Sequence, residues 1–333
     1  MSVIKFLWQT IKPYKWWYLL MFQAPFFNAI YVVFFNYSIK LLIDLFTQHS
    51  YLTFSMASKP LFYFIGGALM HEVSWRFHNF SSWKVMPKVY QNLFLYIFKY
   101  IMGHSYLFFQ NTQGGTITSK ARGIDSGYIA IHNNFEYSLS KPILCVIFTG
   151  LMLCFVNINL FLIVVIFSVI FIPIALISFN YLGNLEMKRE ESFHKIFGIF
   201  ADCVTNVFTI FAFSSKEKEY KALEDYYNKT HTPLVKKWHR DDFFISCLLV
   251  LIMLCFIFAI FFYAIILKNK GLITNGDVAI TLSLTYLFTD FLWAAVNQIK
   301  NFFQDWARLS SALSILQTPQ NNLDKSDAVE LVI

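Results

Sequence analysis

"PILCVIFTGLMLCFVNINLFLIVVIFSVIFIPIALISFNYLGNL", residues 142–185, runs for 44 residues without a charged side chain. One straight helix of that length would reach about 66 Å, more than twice the roughly 30 Å hydrocarbon core of a bilayer. The run must therefore reverse once, and "FVNINL", around Asn157 and Asn159, is the natural turn. Two spans result, 137–157 and 159–183. They set the fold class as an all-α membrane protein, because in lipid a helix satisfies its backbone polar groups internally.

Composition points the same way. Apolar residues make up 57% of the 333-residue chain and charged residues 14%, against about 25% charged in a soluble domain. The net charge is +7, but the basic residues lie in segments between apolar runs and not among stacking aromatics in a polar domain. That is a membrane-topology pattern, and it argues against a nucleic-acid partner. Cys145, Cys154, Cys203, Cys247 and Cys255 form no metal spacing and read as free thiols packed like small apolar side chains. The first apolar run has no small-residue cleavage site, so it is a retained span.

Working outward, further spans fall at about 16–46, 55–80, 241–267 and 277–300. The second is the weakest, interrupted by His71, Glu72 and Arg76. "GLITNGD" precedes the sixth as a turn, with Asp277 as a candidate N-cap. Six spans place both termini on one side. Most Lys and Arg residues lie in the tails and in the loops 81–136 and 184–240, while Lys59, Lys268 and Lys270 lie opposite. The positive-inside rule then makes both tails and both long loops cytoplasmic, in a multi-pass protein of the cell (inner) membrane surrounded by lipid.

The two loops do not have linker composition. "EMKREESFHKIFGIFADCVTNVF" and "KEKEYKALEDYYNKTHTPLVKKW" carry apolar residues at helical spacing. The spans should continue into the cytoplasm as helical extensions that reverse near "FFQNTQGG" and "FSSKEKE". Four segments then carry a resemblance: "HSYLFFQNTQGGTITSKARGIDSG", "GIFADCVTNVFTIFAFSSKEKEYKALEDY", "GLITNGDVAITLSLTYLF" and "RLSSALSILQTP". In their order and spacing they resemble the transmembrane region of exporter-type ABC transporters, the half-transporters that include lipid flippases and multidrug exporters.

The resemblance implies the exporter transmembrane fold over 1–319, with six transmembrane helices and long cytoplasmic helical extensions. It implies a second half-transporter as partner, in a homo- or heterodimer, and an ABC ATPase domain or subunit docked on short coupling helices at the tips. The first tip maps to about Phe108–Gly115, with Phe108, Phe109, Gln110, Asn111, Gly114 and Gly115. The second maps to about Phe211–Glu219, with Phe211, Phe213, Lys216 and Glu217. The four phenylalanines would be docking anchors, or else pack the hairpins internally. Gly114 and Gly115 would permit a tight turn. No GxxxxGK[ST] phosphate loop occurs in these residues, so ATP and Mg²⁺ would be held by the ATPase partner, and no cofactor or catalytic residue is assigned to this chain. Residues 320–333 read as a linker and the first strand, Val329–Ile333, of an ATP-binding domain, as in a truncated or split gene product; a purposely separate subunit is the other reading.

His71, Glu72, Arg76 and Asp290 are candidate translocation-path residues, because ionisable groups at membrane depth are functional candidates by default. His71 and His78, seven apart, share a helix face. These groups would face a water-filled path or pair with Lys40, Asp44 or Asp290. Asp44 resembles a recurrent family position near the outer end of the first span, where it could also be a polar helix-end anchor. His104 and His194 read as ordinary surface residues. Two other functions are an ATP-independent six-span channel or secondary transporter, against which the long helical loops argue, and a remnant that folds but moves nothing. The substrate class stays open among lipids, drugs and hydrophobic peptides.

Overall fold

Helices account for nearly all of the computed structural model, which describes residues 2–112, 114–318 and 320. They are α1 (Val3–Ile11), α2 (Lys15–Gln48), α3 (Phe54–Met102), α4 (Tyr106–Asn111), α5 (Gly114–Asn133), α6 (Ser140–Val156), α7 (Ile158–Thr205), α8 (Val207–Ala212), α9 (Lys216–Tyr226), α10 (Thr232–Asn269) and α11 (Asn275–Ala312). Two wider π-helical turns, Asn134–Ser138 and Tyr227–His231, join α5 to α6 and α9 to α10. There is no strand among the described residues.

The 44-residue apolar run is broken where expected, and at one residue. Asn157 is extended (φ −163°, ψ 132°). Its side-chain oxygen accepts the Asn159 amide at 2.9 Å, so the same residue ends α6 and caps α7. Among the described residues, five helical stretches are long and apolar enough to cross a membrane: Val3–Gln48, Ile117–Val156, Ile158–Thr205, Lys216–Asn269 and Asn275–Gln317. Helix α3 has the length, 49 residues, or about 74 Å. Its polar and charged residues keep it outside that group.

The chain divides into two compact units, residues 1–161 with 261–333, and residues 162–260. In the first, α2 packs along α3, and α11 packs on α2, α5 and α6. Its core joins Phe6, Tyr18 and Met21 to Val85, Val89, Leu93 and Ile97 of α3, to Ile124, Tyr128 and Ile131 of α5, and to Leu309 and Leu313. Small residues let α5 approach α11 closely. A Cβ on Gly123 would lie 3.0 Å from Ala312 Cβ, and one on Gly127 would lie 3.0 Å from Leu309 Cβ and 3.2 Å from its Cα.

In the second unit α7 runs antiparallel to the stretch from the end of α9 through α10 and is joined to it at several levels. Phe167 stacks on Phe256 at 4.0 Å between ring centres. The Tyr181 hydroxyl donates to Asp241 at 2.7 Å. The Arg189 guanidinium lies over Trp238, and His231 Nδ1 is 3.3 Å from Ser192 Oγ. Lys195 covers Tyr226. Many apolar side chains on these two helices, Phe244, Leu251 and Phe258 among them, stay exposed. In a bilayer such faces are solvated by lipid tails at no cost.

Candidate coupling tips and path residues

Helix α3 stops at Gly103, and after a short break the chain turns into α4, only six residues long. Phe108, Phe109, Gln110 and Asn111 all lie on α4. Their roles divide. Phe108 is half-buried, stacks on His104 at 4.2 Å and packs against the core. Phe109, Gln110 and Asn111 are exposed, as are Tyr106 and Leu107. Gly114 and Gly115 form the first residues of α5 and not a tight turn. A Cβ on Gly114 would meet nothing within 4 Å. The glycine with positive φ (70°) is Gly271, in the turn before α11.

His104 is not an ordinary surface residue. It is 5% exposed. Its Nδ1 lies 3.1 Å from the Tyr100 carbonyl and its Nε2 lies 3.3 Å from the Thr318 carbonyl. The Tyr100 hydroxyl donates to the same Thr318 oxygen at 2.9 Å, and Gln320 Nε2 donates to the Tyr100 carbonyl at 2.6 Å. The chain leaving α11 is thus fastened to the base of the first tip.

The second reversal has the same form. Helix α7 ends at Thr205, and α8 is again a six-residue helix. It starts four residues before the expected tip, because Asn206 breaks the helix there. Phe211 lies on α8, and Phe213 follows it in a turn that contains Ser214 at φ 49°. Phe208 and Phe213 are 83% and 80% exposed. Lys216 opens α9 and reaches back over the Phe211 ring at 3.9 Å, a cation–π contact that holds the turn. Glu217 stands in the first turn of α9, where a carboxylate suits the helix dipole.

The path candidates disperse. Glu72 and Arg76 pair with each other at 3.0 Å on an exposed face of α3, and Asp290 is exposed on α11. His71 and His78 do share a face, turned to α2: His71 Nδ1 is 3.3 Å from Asn28 Nδ2 and His78 Nδ1 is 3.2 Å from the Met21 carbonyl. Lys40 and Asp44 pair elsewhere. Lys40 binds Asp277 at 2.6 Å. Asp44 accepts the Gly276 amide at 2.8 Å and the Thr274 hydroxyl at 3.0 Å, which anchors the end of α2 to the start of α11. The N-cap of α11 is Thr274 and not Asp277, which instead completes a capping box from the third helical position. Residues 321–333, with the expected strand, lie outside the described residues.

Long helices of apolar composition, drawn out beyond bilayer thickness and reversing through two six-residue helices, are those of a multi-pass membrane protein. The sequence profile of the ABC transporter transmembrane region matches residues 18–291. The chain belongs to that family. A search of curated proteins finds none that matches.

Proposed function

We propose that the chain is the membrane-spanning subunit of an ATP-driven exporter, that it works as a dimer with a second half-transporter, and that α4 and α8 are its coupling helices. ATPase domains, on a partner chain or on the same polypeptide, hold ATP and Mg²⁺ and carry the catalysis. Closure of two such domains on ATP would move the tips and switch the spans from inward- to outward-facing. The protein would sit in the cell (inner) membrane with both termini cytoplasmic. Its cargo would be a lipid, a drug or a hydrophobic peptide.

The observation that supports this reading is the pair of six-residue helices, each set at a helical reversal and each carrying exposed aromatics. Exposed Phe side chains on a polar tip gain free energy only by entering a groove, and truncating a buried anchor of that kind costs about 2 kcal/mol or more. The test is to purify the chain with its ATPase partner and compare Phe109→Ala and Phe213→Ala with wild type. Both should lose ATPase association and coupled transport while membrane insertion is unchanged. Full coupled transport by both variants would mean that the tips are misassigned.

A further inference from the structure

Beside the core of the first unit, two buried histidines and a partly buried carboxylate from separate segments converge. Glu136, in the π-helical turn between α5 and α6, has Oε1 3.1 Å from His78 Nε2 of α3 and Oε2 3.3 Å from His132 Nε2 of α5. The side chains are 13%, 10% and 4% exposed in that order. Both imidazoles lie against aromatic rings: His78 against Trp75 at 4.8 Å, and His132 against Tyr18 at 5.5 Å.

The donor and acceptor count is decisive. His78 Nδ1 faces the Met21 carbonyl, an acceptor only, so Nδ1 carries the proton of that contact. If the ring were neutral, Nε2 would then be a bare lone pair, held 3.1 Å from a carboxylate oxygen. Two acceptors at that distance repel. The conformation therefore requires one further proton, on His78 or on Glu136. Oε1 has no hydrogen-bond partner among the described residues, because Nε2 lies off the hydrogen-bond line, so the contact is electrostatic. The other ionisable groups around the cluster are Tyr18 on α2, Tyr90 on α3, Asp125 and Tyr128 on α5, Tyr137 in the π-turn, Lys141 on α6, which donates to Tyr137, and Asp305 on α11, which accepts from Asn134. Burial and the nearby Glu136 and Asp125 carboxylates push the Tyr90 hydroxyl up from its ordinary value. No three His, Cys, Asp or Glu groups among the described residues are placed to hold a metal ion.

We propose that His78 and Glu136, flanked by His132, form a proton-binding site that ties α3 to the π-turn before α6. The bound proton holds the three segments in register with α2, and separating α3 from the π-turn releases it.

Solid-state NMR of the full chain in lipid bilayers at pH 7, with ¹⁵N-labelled histidine and ¹³C-labelled glutamate, reads the site directly. The expected result is a His78 ring with protons on both nitrogens, or a neutral His78 beside a protonated Glu136. A neutral His78 beside an ionised Glu136 overturns the proposal, whatever the state of His132. In Glu136→Gln the extra proton should be gone, leaving His78 with a single ring proton. His132→Gln, which leaves the His78–Glu136 contact in place, should keep the extra proton and serves if Glu136→Gln does not fold. Loss of that proton in His132→Gln would overturn the site as drawn.

Discussion

Asp44 and Gly276 act as a unit although 232 residues separate them. A Cβ at Gly276 would lie 2.4 Å from the Lys40 carbonyl and 2.7 Å from Asp44 Cγ, so only glycine lets the α11 amide reach the carboxylate. Asp44→Ala should cost about 0.5–2 kcal/mol, the range for losing a helix-start acceptor. Gly276→Ala should cost more, since backbone must move, and the double variant should cost less than the sum. Denaturant unfolding in detergent measures all three, and a neutral Gly276→Ala would disprove the clasp. The sequence singled out Lys40 and Asp44 but not their partners, because a polar residue calls for company without saying whose. His104 shows the same gap. One of its partners is Thr318, 214 positions away, and nothing near His104 announces that. The His132–Glu136 pair could have been read from its four-residue spacing, which sets two side chains on one helix face. The third member, on α3, could not.

Among elements, length decided most. The α6–α7 break was legible because no single span can hold 44 apolar residues. The tips were legible as regions but not to the residue, since the breaks at Gly103 and Asn206 are local and carry no strong signal. Gly114 and Gly115 misled for a related reason: a glycine pair permits a turn but does not require one. Gly123 and Gly127 matter more, through contact and not conformation. Gly127→Leu should force α5 off α11, and overpacking of this kind costs about 1–3 kcal/mol or more. The variant should show a lower thermal midpoint and faster proteolysis within α5, whereas Gly114→Ala, which faces open space, should match wild type. Equal stability of Gly127→Leu and wild type would contradict the α5–α11 contact.

For the whole molecule, sidedness and the place of the motor can be tested. With the native cysteines replaced, Cys247 and Cys255 being exposed, a single cysteine at Lys216 should react with an impermeant thiol reagent in inverted vesicles and not in whole cells. Labelling from outside would reverse the topology. The 333-residue chain by itself should show no saturable ATP binding, since no phosphate loop occurs in it; binding free of contaminating ATPase would place the motor in these residues. The knot at Thr318 adds a mechanical consequence. Its carbonyl is gripped by Tyr100 and His104, and His104 is stacked on Phe108. Tension on the chain past residue 320 would therefore not run straight up α11. Part of the load would be diverted sideways into the foot of α3 and into α4, so a tug on the tail and a push on the first tip would strain the same joint. Removing the grip with Tyr100→Phe and His104→Ala would turn that braced elbow into a swivel.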